Sequence, residues 1–115
     1  MCAGPGGKAA LLSSIAKERG IDFTANEVSE PRADLVRKVV HGATVWCGDG
    51  REIATHDQRF DAVIIDAPCT GLGALRRRPE VRWRRTLSDL RELTSLQREL
   101  IDAVYVGQPR DVVEE

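Results

Sequence analysis

The residues best suited to chemistry in this 115-residue chain fall at separate points along ordinary apolar sequence. The first is Cys2-Ala3-Gly4-Pro5-Gly6-Gly7-Lys8, directly ahead of a helix-like run. Glycines at a helix start let a ligand approach the backbone N–H groups closely. The pattern is not a phosphate loop, because Cys2 stands where a glycine is required and Ala9 where Ser or Thr must follow the lysine. A glycine-rich turn alone is often no more than a tight connection. Glu27, about 20 residues further on, strengthens it, since an acid at that spacing accepts hydrogen bonds from ribose hydroxyls. Asp49 is placed to accept from an adenine amino group. Asp66-Ala67-Pro68-Cys69 then puts a carboxylate and a thiol beyond a strand, with Pro68 stiffening the turn. A lone cysteine is most often a small buried hydrophobe, and Cys47, inside a strand-like run, fits that description. Cys69 lies beside Pro68 and near Gly71, which favours exposure and reactivity. The acidic lining suits an adenosine-bearing cofactor without a large phosphate group.

Charge is unevenly spread. The net charge is −1, yet residues 76–85 hold six arginines (Arg76, Arg77, Arg78, Arg82, Arg84, Arg85) and one acid, Glu80. That window carries +5, which leaves −6 for the rest. Solvated helix faces usually mix both signs, whereas arginines clustered around Trp83 are what phosphate contact with base stacking requires. A solubilising loop accounts for the same charge equally well. An apolar share of 42% with 30% charged residues excludes intrinsic disorder. No apolar run approaches the roughly 18 residues of a membrane span. Three cysteines at irregular spacing, without CxxC, give neither a disulfide scaffold nor a metal site. The expected setting is reducing and cytoplasmic, and no signal peptide is apparent.

The elements that must position these residues alternate. Lys8–Arg19 reads as a helix with Leu11, Leu12, Ile15 and Ala16 on one face and Gly20 as its cap. Ile21–Asn26 reads as a strand. Pro31 opens a second helix whose stripe is Leu35, Val36, Val39 and Val40, stopped by Gly42. Ala43–Cys47 and Phe60–Asp66 are strands, and Thr86 or Ser88 caps a last helix running to about Val104. In that helix Leu90, Leu93, Leu96, Leu100 and Ile101 face inward. Such alternation predicts an α/β fold with a parallel sheet, in which ligands bind beyond the carboxyl ends of the strands. Glu27, Asp49 and Asp66 all stand at those ends.

Together, Cys2–Lys8 and Asp66-Ala67-Pro68-Cys69-Thr70-Gly71 resemble the RNA (cytosine-5) methyltransferases, in their bacterial small-subunit ribosomal RNA methyltransferase B branch. Asn26-Glu27-Val28, Gly48-Asp49-Gly50-Arg51, Gly73, Arg77-Arg78-Pro79-Glu80, Trp83 and Gln97 support the likeness, which runs from residue 1 to about 104. The resemblance implies a Rossmann-like class I fold that binds S-adenosylmethionine, with helices on both faces of the sheet. Cys2, Ala3, Gly4, Pro5, Gly6, Gly7 and Lys8 would wrap the methionine part, Glu27 the ribose and Asp49 the adenine. Asp66 would sit between cofactor and target base, and Cys69 would help release the covalent adduct. Ribosomal RNA would be the partner, met by Arg76, Arg77, Arg78, Arg82 and Trp83.

The chain also departs from that family. No cysteine follows Cys69, so the family's nucleophile has no counterpart in these residues. The Gly-rich turn lacks the preceding central strand, and no strand is expected after Val104. Residues 1–104 therefore read as a partial cofactor-binding domain and 105–115 as a divergent tail. Two unpaired inner sheet edges would favour self-association or pairing with another chain. The rival reading is a non-catalytic RNA- or partner-binding unit built on residues 76–85.

Overall fold

The computed structural model describes residues 1–71, 77, 80, 86–107 and 111–114. Helix α1 spans Gly7–Arg19, and Gly20 ends it by donating its N–H to Lys17 O. Its buried residues are Ala9, Ser13 and Ala16, whereas Leu11 is 64% and Ile15 38% exposed. The inward face thus keeps Ala16 from the face that periodicity suggests, with Ala9 and Ser13 in place of Leu11 and Ile15. α1 lies against α2 (Glu30–Val39), and Ala9 packs in one cluster with Ala25, Val36 and Val40. Small side chains allow that close approach. On α2, Ala33 and Val36 are buried, as is Val40 just beyond it, while Leu35 and Val39 face outward.

Strand β1 (Thr24–Glu27) pairs in parallel with β2 (Thr44–Cys47), in a register running from Thr24↔Thr44 to Glu27↔Cys47. A 3₁₀ helix, Gly50–Thr55, follows β2 and is absent from the sequence reading. Strand β3 covers Ala62–Ile65. Helix α3, Leu87–Gly107, opens with a reciprocal cap. Asp89 N donates to Thr86 Oγ1 at 3.1 Å, and Thr86 N donates to Asp89 Oδ2 at 2.7 Å. α3 continues past Val104, and Asp111–Glu114 forms β4, parallel to β3. A strand in this tail corrects the expectation of none. Its Val112-Val113 centre is β-branched, a local preference that the short run concealed.

The two strand pairs are separate ladders, and the first residues of the chain lie between them. Met1 N donates to Ile64 O at 2.5 Å, and Asp66 N donates to Met1 O at 3.3 Å. Ala3 N donates to Asn26 O at 2.8 Å. Residues 1–3 therefore bond to β3 on one side and β1 on the other, with the spacing of a parallel ladder. Beneath them Ile53, Val63, Ile65, Leu100 and Val104 form the larger core, which ties α3 to the 3₁₀ helix and β3.

Candidate cofactor and catalytic site

Glu27 ends β1 as one of the least exposed polar residues, at 2%. Its Oε2 accepts from Gly4 N at 2.8 Å and its Oε1 from Ser29 N at 3.1 Å. The carboxylate thus anchors the Gly-rich turn from below. An ionised carboxylate has about four acceptor sites, so both oxygens retain capacity. Glycine is required at position 4, because a Cβ there would lie 2.6 Å from Glu27 Oε2 and 2.9 Å from Arg32 Cβ. Gly6 has φ +122°, and a Cβ there would meet Val39 Cγ2 at 2.7 Å. Cys2 adopts φ +59°, uncommon for a residue with a side chain. Burial pushes its thiol up from the ordinary value. Its backbone conformation, which turns the chain out of the sheet, is the notable property of Cys2.

Asp49 follows β2 and caps the 3₁₀ helix by accepting from Arg51 N at 2.9 Å. The Arg51 guanidinium grips the same carboxylate, with Nη2 donating to Oδ2 at 2.6 Å, and reaches Glu99 Oε2 on α3 at 2.5 Å. This grip, before anything else, holds the Asp49 carboxyl below the usual range. It holds Glu99 down as well. Asn26 is buried next to Glu27, and its Nδ2 donates to Trp46 O at 3.3 Å and Gly48 O at 2.9 Å. It thereby fixes the turn that presents Asp49. The sequence held a signal for it, since asparagine is disfavoured inside a strand unless its amide has work there. Arg51 and Glu99, far apart in sequence, offered none.

Asp66 follows β3, and Lys8 Nζ lies 3.1 Å from its Oδ2, joining the α1 start to the third strand end. Both side chains are partly exposed, so the pair faces solvent. Cys69 is exposed on the loop beyond, and Gln97 Nε2 of α3 donates to Pro68 O at 2.8 Å. Cys47, expected in the core, is only half-buried. It sits at the end of β2, where Sγ donates to Val28 O at 3.8 Å, and a hydrogen bond with Glu30 raises its thiol. The structure thus brings Gly4 to Glu27 and Lys8 to Asp66, and ties Asp49 to α3. Arg77 is exposed, while Arg76, Arg78, Arg82 and Trp83 lie outside the described residues. Among the described residues, no group of His, Cys, Asp and Glu could hold a metal ion. No helix among them is long and apolar enough to cross a membrane.

Parallel strands with acids at three carboxyl ends, beside a glycine-rich helix start, are the arrangement of an α/β unit of the Rossmann-like kind. Residues 1–108 match the 16S rRNA methyltransferase RsmB/F family, and the chain belongs to that family. It is 50% identical over 116 residues to "Putative methyltransferase MT1451" of Mycobacterium tuberculosis, covering 98% of this chain and 25% of that protein. It is 37% identical over 110 residues to the "Ribosomal RNA small subunit methyltransferase B" of Photorhabdus laumondii, covering 91% of this chain and 25% of that one. The chain thus spans about a quarter of the length of the curated relatives it matches. Among solved structures it is similar to NSun6 from Pyrococcus horikoshii, solved with SFG. The TM-score is 0.84 at 26% identity, covering 99% of this chain and 30% of that one. The α/β fold is accordingly part of a Rossmann-like class I methyltransferase fold.

Proposed function

We propose that this chain is the cofactor-binding portion of an S-adenosylmethionine-dependent RNA (cytosine-5) methyltransferase acting on ribosomal RNA. The observation that carries the reading is the placement of the Glu27-anchored Gly-rich turn, Asp49 and the Lys8–Asp66 pair at the carboxyl ends of the parallel strands. The donor set fits such a cofactor: a buried Glu27 carboxylate with acceptor capacity left, partly exposed carboxylates at Asp49 and Asp66, and a tight backbone turn. Asp49 accepts from the adenine amino group, Glu27 from the ribose through its remaining lone pairs, and residues 2–8 enclose the methionine part. The bound cofactor supplies an electrophilic methyl group. Asp66, held by Lys8, orients the target base, and Cys69 acts in release of the adduct. Arg76, Arg77, Arg78 and Arg82 contact RNA phosphates, and Trp83 stacks on a base.

Methylation at C5 needs a thiolate added at C6 and a base to remove the C5 proton. Cys69 is the last cysteine in these 115 residues, so on their own they bind cofactor without completing the reaction. Three free thiols fit a reducing cytoplasm. Residues 1–3 already bond to both inner sheet edges, which leaves less open edge for another chain than the sequence suggests.

Calorimetric titration with S-adenosylhomocysteine tests the cofactor assignment. Asp49→Ala is expected to weaken binding at least tenfold, and equal affinity in the variant would remove Asp49 from the site. Incubation with undermethylated ribosomal RNA and labelled cofactor tests the rest. Label at C5 that Cys69→Ala abolishes would make Cys69 the nucleophile and overturn the assignment of release alone.

A further inference from the structure

We propose that Gln97 is the positioning residue of the Cys69 loop, an inference that rests on reading Cys69 as a reacting thiol. Its Nε2 donates to Pro68 O at 2.8 Å, a contact between residues 29 apart in sequence. A peptide group is planar, so holding Pro68 O also fixes the N–H and Cα of Cys69 in the same plane. The other end of the segment is held by the bond from Asp66 N to Met1 O, and the Pro68 ring restricts φ between them. The peptide that leads into Cys69 is thereby placed, and the thiol is reached from it through the residue's own φ and side-chain torsion.

The anchor itself is firm. Gln97 follows Leu96, which packs against the core, and precedes the buried Leu100 by less than one turn. An amide also suits the position chemically. A lysine or arginine could make the same bond, but would set a full positive charge close to the thiol one residue away. Gln97 fixes the geometry and leaves the charge unaltered.

The test uses two variants of the full chain. Gln97→Met keeps the length and removes the donor, and Gln97→Glu keeps the shape but only accepts at neutral pH. Hydrogen exchange at the amides of Cys69, Thr70 and Gly71 should accelerate about three- to tenfold in both, the opening expected from one lost hydrogen bond. Iodoacetamide labelling of Cys69, followed on its own peptide, should change by a similar factor. The Glu variant should regain protection as the pH falls below about 4.3, where its protonated carboxyl donates again. That recovery would not follow from a general packing role. Unchanged protection of the loop in the Met variant, or loss spread evenly over β3 and α3, would overturn the proposal. Absence of S-adenosylhomocysteine binding by the unaltered chain would overturn the proposed function instead, and the Gln97 measurements would still be readable.

Discussion

Glu27 commits both carboxylate oxygens to backbone N–H groups, and this makes the Gly-rich turn sensitive to a single methyl group. Gly4→Ala places a carbon 2.6 Å from Glu27 Oε2, against a carboxylate that cannot move without giving up its bonds. A cost of about 1–3 kcal/mol is expected, from overpacking in a well-filled site, and urea unfolding would measure it. Asp49 makes a different prediction, set by pH. Its carboxyl is held below the ordinary 3.8 and that of Glu99 below 4.5, in both cases first by the Arg51 side chain. Stability from a depressed carboxyl is complete above the unfolded value and is lost as the pH falls through the folded value. Thermal melts should therefore show Arg51→Ala less stable by a constant amount from neutral pH down to about 5. The gap should close only under more acid conditions. A gap that closed near neutrality would belong to some other group.

Helix α1 shows what periodicity can and cannot reveal. Its limits were legible, since the Gly-rich turn and Gly20 punctuate it clearly. Its inward face was legible only in part, because apolar spacing singles out Leu11, Leu12, Ile15 and Ala16 while the residues buried are Ala9, Ser13 and Ala16. Helix-to-helix distance is a property of the pair, and no single helix encodes it. Leu11→Lys should accordingly leave stability within about 0.5 kcal/mol, as exposed substitutions do. Ser13→Leu should cost about 1–3 kcal/mol. The reverse order in denaturant midpoints would contradict this packing. In α3 the Thr86 cap and the buried Leu100 were legible, whereas Leu90, expected to face inward, is 47% exposed in the first turn. Thr86→Ala should cost about 1 kcal/mol, measurable by thermal unfolding. The 3₁₀ helix escaped the reading because Asp49 serves as its cap and as a candidate ligand contact at once. Among the site residues, Glu27, Asp49 and Asp66 were legible as acids at strand ends. The partners of Arg51 on α3 and of Gln97 at Pro68 lie 48 and 29 residues away, and composition carries no trace of such pairings.

Across the whole molecule, two parallel strand pairs meet at residues 1–3. Glu27 and the turn after β2 belong to one side, Asp66 and Cys69 to the other. Ala3→Pro removes the N–H that reaches Asn26 O, and should accelerate amide exchange at Cys2 and Gly4 and at the strand ends they touch. Acceleration confined to Cys2 and Gly4 would mean that the core beneath holds the halves together unaided. The backbone path between the halves has one bond to β1 and two to β3, linked in series. Compliances in series add, so the softest link governs how far the jaws of the site swing. A ligand touching Asp49 and Asp66 together would act as a strut in parallel with that link. It would stiffen the molecule more than its own contacts suggest, and shift the slow breathing of the two halves to higher frequency.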